Sequence, residues 1–129
     1  MGQQQLLLVV LGVIVVGIAI VTGISMFQAA AVDANRSNII NDLNQLGGFT
    51  QSWYKRPTNF AGGDNTFIGF AIPTEMQSNQ NGTYTIETAG TATSIVFRAT
   101  GTETGDNGTS AVSFRCTVTS TSITIVKIN

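Results

Sequence analysis

The chain has 129 residues, a net charge of −1, no histidine, one cysteine and a charged fraction of 10%. That fraction is less than half the usual share of about a quarter, so nothing electrostatic favours nucleic-acid binding. The 43% hydrophobic content with so little net charge excludes a disordered chain. The missing histidine removes the commonest metal ligand and general base.

The first element is an oily segment, MGQQQLLLVVLGVIVVGIAIVTGISMFQ, and no charged side chain precedes Asp33. From Leu6 to Val32 it would span about 40 Å as an α-helix, more than the roughly 30 Å of a bilayer core. A cleaved secretory signal fits poorly, because no basic residue stands ahead of it and the apolar run exceeds about 15 residues. Myristoylation is also disfavoured, since Leu6 stands where that motif wants Ser or Thr. Two roles stay open: a permanent membrane anchor, or a helix stored in the membrane before burial elsewhere. About a hundred residues are left for one soluble domain with one modest core.

The helical pattern continues past the oily run. Val32, Ile39, Leu43, Leu46, Phe49 and Trp53 recur at steps of seven, four, three, three and four, one face of a helix. Asp33, Arg36, Asn41, Asp42 and Asn44 fall on other faces. Gly47-Gly48 is the weak point, at about 1 kcal/mol per glycine relative to alanine. Lys55 and Arg56 suit the C-terminal end of the helix dipole, and Pro57 stops it.

Residues 56–82 are loop-like, with Phe67-Ile68 and the stretch Phe70 to Ile72 tucked in, the latter a candidate short strand. From residue 83 the texture turns to alternation with dense Thr: TYTIET, ATSIVFRAT, AVSFRCTVTS and TSITIVKIN read as four strands. Short connectors, including GTETGDNG at Gly101 to Gly108, predict an antiparallel meander. Its inner face would carry Ile95, Phe97, Val112, Phe114, Cys116, Val118, Ile123 and Ile125, covered by the helix stripe. The expected fold is therefore α+β, with a helix–sheet core built on Ile39, Leu43, Leu46, Trp53, Ile95, Phe97, Phe114, Cys116 and Val118. Cys116, having no partner, reads as a buried thiol.

The search for chemistry finds no G-x-S-x-G, HExxH, Walker A or GxGxxG pattern. Glu103 and Asp106 in GTETGDNG do not match a calcium loop and read as solvated. Tyr54-Lys55-Arg56 reads as a capped helix end, not a DNA contact. No catalytic, cofactor or metal residue is expected. Asn35-Arg36-Ser37, Asn81-Gly82-Thr83 and Asn107-Gly108-Thr109 match the N-glycosylation pattern, with Asn81 and Asn107 favoured because they fall in turns.

A bare apolar helix, its amphipathic continuation, a loop and a four-stranded antiparallel sheet resemble the type IV pilin family. The most specific part is LLLVVLGVIVVGIAIV, with Gly12, Gly17 and Gly23 placed where such helices loosen during assembly. Family members carry a glutamate at the fifth mature position; here Gln5 or, after cleavage at Gly2, Leu7 stands there, and neither ionises. The resemblance implies residues 1–32 as membrane-stored filament core and 33–129 as the globular domain (helix continuation 33–55, loop 56–82, sheet 83–129). Leu6, Leu7, Leu8, Val9, Val10, Leu11, Val13, Ile14, Val15, Val16, Ile18, Ile20, Val21, Ile24 and Phe27 would pack in the core of a polymer of identical subunits. At about 25 cal/mol per Å² of apolar area, that burial amounts to tens of kcal/mol before entropy costs.

The implied partners are the cytoplasmic membrane before assembly, an assembly ATPase, a platform protein and a prepilin peptidase. The implied location is an extracellular filament at the cell surface. Two alternatives share the pattern: a pseudopilin or minor pilin of a secretion or DNA-uptake system, and a singly anchored β-rich binding domain that does not polymerise.

Overall fold

The computed structural model describes residues 2–129. Helix α1 runs unbroken from Gly2–Lys55, 54 residues and about 80 Å. A 3₁₀ turn at Thr58–Phe60 and the four-residue α2 (Thr74–Gln77) follow, then β1 (Gly82–Thr88), β2 (Ser94–Thr104), β3 (Ala111–Thr119) and β4 (Ile123–Lys127). The strands form one antiparallel sheet in the order β1-β2-β3-β4. This is the expected α+β fold, a long helix laid across a four-stranded meander.

The two layers meet where the periodicities coincide. Ile39, Leu43 and Leu46 point from α1 onto Ile95, Phe97, Ala99, Val112, Phe114, Cys116 and Val118, all buried. Alternation along each strand sends those seven residues to one face. Val32, Phe49 and Trp53 lie on the rim and are half-buried, as are Ile123 and Ile125, because β4 is an edge strand. The Thr50 hydroxyl, fully buried, donates to the Leu46 carbonyl at 2.7 Å, so it is paired within the seam.

Gly47-Gly48 does not break the helix, and the two glycines differ. Gly47 is buried, and a Cβ there would lie 2.7 Å from Ile123 Cδ1; Gly48 faces open space. The absent side chain at Gly47 lets α1 approach β4, which offsets its poor helix propensity.

The helix ends at Lys55, as expected, and its last carbonyls are capped by the following loop. Gly63, Asp64 and Asn65 donate their N–H groups to Trp53, Arg56 and Tyr54 at 2.8, 2.9 and 2.8 Å. Asp64 and Asn65 adopt positive φ (50° and 65°), a conformation Asn and Asp tolerate best after glycine.

Three expectations are corrected. The stretch Phe70 to Ile72 forms no strand: Phe70 N–H donates to the Phe67 carbonyl at 3.2 Å, closing a turn that buries Phe67, Phe70 and Ile72. Ile68 does not tuck in; it points outward, 62% exposed. Gly101 to Thr104 belongs to β2, with a register irregularity against β3 between Thr100 and Thr104, so the connector shrinks to 105–110.

The two central glycines give a direct test. Gly48→Ala should stabilise the domain by about 1 kcal/mol through helix propensity. Gly47→Leu should destabilise it by about 1–3 kcal/mol through overpacking against Ile123. Denaturant titration of the detergent-solubilised chain, followed by Trp53 fluorescence, reads both.

Candidate functional site

The first half of α1 has no partner within the fold. Every large apolar side chain from Leu6 to Phe27 is between 53% and 80% exposed. Between those two residues the polar side chains are Thr22 and Ser25. Both turn back onto the helix: Thr22 Oγ1 donates to the Ile18 carbonyl at 2.9 Å and Ser25 Oγ to the Val21 carbonyl at 3.1 Å. The surface over these 22 residues, about 33 Å of helix, therefore presents hydrocarbon on all sides with its hydroxyls internally satisfied. Gly12, Gly17 and Gly23 lie within unbroken helix, with open space where a Cβ would be. Among the described residues this is one helix long and apolar enough to cross a membrane.

The bare half is the straight continuation of a clamped half. Two polar clusters on opposite flanks of the apolar stripe hold α1 against the sheet. On one flank, Asn35, 7% exposed, donates from Nδ2 to the Asn81 carbonyl (2.8 Å) and accepts at Oδ1 from the Thr102 N–H (3.3 Å). Gly101 admits it, since a Cβ there would sit 2.3 Å from Asn35 Oδ1. Seven residues on, Asp42 Oδ2 accepts from Tyr84 Oη (2.5 Å), Asn79 Nδ2 (2.9 Å) and Asn81 Nδ2 (2.9 Å). Burial opposes ionisation of Asp42, but those three donors outweigh it and hold the carboxyl below its ordinary value. Burial and the bond to Asp42 push the Tyr84 phenol up.

On the other flank, Asp106 bridges helix and sheet, accepting from Arg36 Nη2 (2.6 Å) and Lys127 Nζ (2.5 Å). Lys127 and then Arg36 hold its carboxyl down at about 2. Asp106 is exposed, as expected of a loop acid, and in addition ties the helix to β4. Among the described residues no group of three ligating side chains occurs.

The remaining candidate residues sort by place. Ile39, Leu43, Leu46, Ile95, Phe97, Phe114, Cys116 and Val118 are buried together, with Trp53 at the rim on Phe70, ring centroids 5.2 Å apart. Cys116 is a free thiol pushed up to about 11 by burial, which makes it a poor nucleophile. Of the three glycosylation matches, Asn35 is sealed between the helix and the sheet, and the Asn81 amide nitrogen is engaged on Asp42. Asn107 is exposed, its Oδ1 accepting from the Thr109 and Ser110 N–H groups at 3.0 and 2.9 Å in an Asx turn. Asn35 and Asp42 were missed as fasteners, although their seven-residue spacing alongside Ile39 and Leu43 places them beside the buried stripe.

Comparison with protein-family models, with curated proteins and with solved structures finds no match to this chain.

The Asp42 cluster has a defined pH signature. A carboxyl whose folded pKa lies below its unfolded value of about 3.9 stabilises fully above that value and loses its effect as pH falls through the folded one. A phenol raised above about 10 stabilises below that value and loses its effect as pH rises through it. Asp42→Ala should therefore cost about 1–3 kcal/mol at neutral pH, since three donors lose their acceptor. Tyr84→Phe should reduce the loss of stability above about pH 10. Thermal denaturation across pH, monitored by circular dichroism, checks both.

Proposed function

We propose that this chain is the structural subunit of a type IV pilus-like helical filament, and that it polymerises by burying residues 6–27 in a bundle of identical helices. The observation that carries the reading is one continuous helix with a wholly apolar, unpartnered front half and a rear half fixed to the sheet by core packing and two polar clusters. A tether for a membrane-anchored domain has no need of such a joint; a filament does. Stacking subunits requires each core helix to hold a fixed direction relative to its outer domain, and repeated head-to-tail contacts that do not close generate a fibre.

Before assembly the same 33 Å or so of hydrocarbon matches a bilayer core of about 30 Å, so the subunit would wait in the cytoplasmic membrane with its sheet outside. Transfer from lipid to bundle exchanges one apolar surrounding for another. The gain then comes from close packing, for which Gly12, Gly17 and Gly23 open space on the helix surface. An assembly ATPase, a platform protein and a prepilin peptidase complete the reading as partners of the family it resembles. No step of chemistry is assigned to the chain.

Leu11→Arg or Val15→Arg tests the bundle. A charge in the apolar core should abolish filaments in material sheared from cells while leaving the sheet domain folded, judged by circular dichroism of the detergent-solubilised chain. Filaments of normal length from either variant would eliminate the bundle. A parent chain recovered solely as a detergent-soluble monomer would point to the anchored-domain alternative, and short, sparse assemblies to a pseudopilin.

A further inference from the structure

The sheet face turned away from α1 carries a second feature. Strand alternation places Arg98 and Thr100 of β2 and Ser113 of β3 on that outer face, Thr100 directly opposite Ser113. The segment Ile128–Asn129 continues β4 alongside Ser113: the Ser113 N–H donates to the Asn129 carbonyl at 3.2 Å, and the Ser113 carbonyl accepts from the Ile128 and Asn129 N–H groups at 2.9 and 3.1 Å. Together with Asn107 and Ser110 from the β2–β3 loop these residues line a concavity of about 430 Å³, within the range of about 300–1,000 Å³ typical of small-molecule sites.

Its hydrogen-bonding capacity is unspent. The Ser113 hydroxyl makes no hydrogen bond among the described residues and opens to solvent through the recess. The Thr100 and Ser110 hydroxyls and the Asn107 amide nitrogen likewise have none, because Asn107 uses its oxygen for the Asx turn. Each of these groups faces the recess with its donor or acceptor capacity free for an oxygen-bearing ligand.

Charge narrows the class. Glu87 accepts two bonds from Arg115, at 2.9 and 2.7 Å, and lies 3.6 Å from Arg98. The trio has one carboxylate for two guanidiniums, so Arg98 retains donors for another anion. The Asp106 carboxylate, close by in sequence, is taken up by Arg36 and Lys127.

We propose that this concavity binds an acidic sugar, its carboxylate on Arg98 and its hydroxyls on Thr100, Ser110, Ser113 and Asn107. Hydroxyl side chains both donate and accept, which matches sugar hydroxyls, and a guanidinium matches a carboxylate. Lying on the face opposite α1, the site stays open whether α1 is in lipid or in a bundle. It does not depend on the filament reading.

The test titrates the full ¹⁵N-labelled chain in detergent micelles with glucuronate, glucose and acetate, following backbone amide shifts. Glucuronate should move the Arg98, Thr100 and Ser113 amides, saturating at about tenfold lower concentration than glucose or acetate. Arg98→Gln should raise its half-saturation about tenfold, to the level of glucose, and Ser113→Ala about threefold. Should Arg98→Gln lose the dispersed spectrum of the folded domain, Ser113→Ala and Thr100→Ala decide alone. The proposal is overturned if glucuronate leaves those amides unmoved, if acetate saturates as early as glucuronate, or if the folded variants bind glucuronate as the parent does.

Discussion

The apolar side chains from Leu6 to Phe27 stand away from the rest of the molecule, and none of the described residues covers them. The sheet has already spent its apolar face on Ile39, Leu43 and Leu46. An all-round aliphatic helix is not a stable surface in water, and by length and composition this one could be covered by a bilayer. The direction of the helix, the polar fasteners at its midpoint and the capping of its end all bear on how that surface is presented.

The joint between the two halves of α1 explains residues that otherwise look incidental. Core packing alone fixes a helix on a sheet with some freedom to slide or pivot. Asn35 and Asp42 on one flank, and Arg36 through Asp106 on the other, restrict that freedom by directional hydrogen bonds. Gly47 and Gly101 serve the same end by letting backbones approach where a Cβ would collide. The first charged residues of the chain, Asp33 and Arg36, appear only where the helix begins to meet the sheet. Front and rear halves thus differ in burial but share one continuous helix.

Much of this was legible in the sequence because it rests on period. The 3.6-residue stripe of α1 and the alternation of four Thr-rich strands predicted both layers and the residues that join them. What periodicity does not encode stayed hidden. Asn35 and Asp42 look solvent-facing because short polar residues are unremarkable on a helix; their partners lie 37 to 67 positions away. Gly101 to Thr104 read as a turn by composition, although backbone pairing carries β2 through it. The loop from Pro57 to Asn81 is held by backbone donors at the helix end and by aromatic edges, neither of which leaves a pattern. The recess around Ser113 depends on Ile128–Asn129 running on beside β3 and meeting the β2–β3 loop, a long-range arrangement with no local signal.

The central claim is that α1 is one rigid rod whose front half becomes the core of a polymer. Helical reconstruction by electron cryomicroscopy of filaments sheared from cells producing this chain tests it most directly. The account predicts a central bundle of residues 6–27 from many copies, each helix running unbroken to Lys55 beneath its own sheet. Helices absent from the filament axis, or this chain confined to membrane fractions as a monomer, would contradict it.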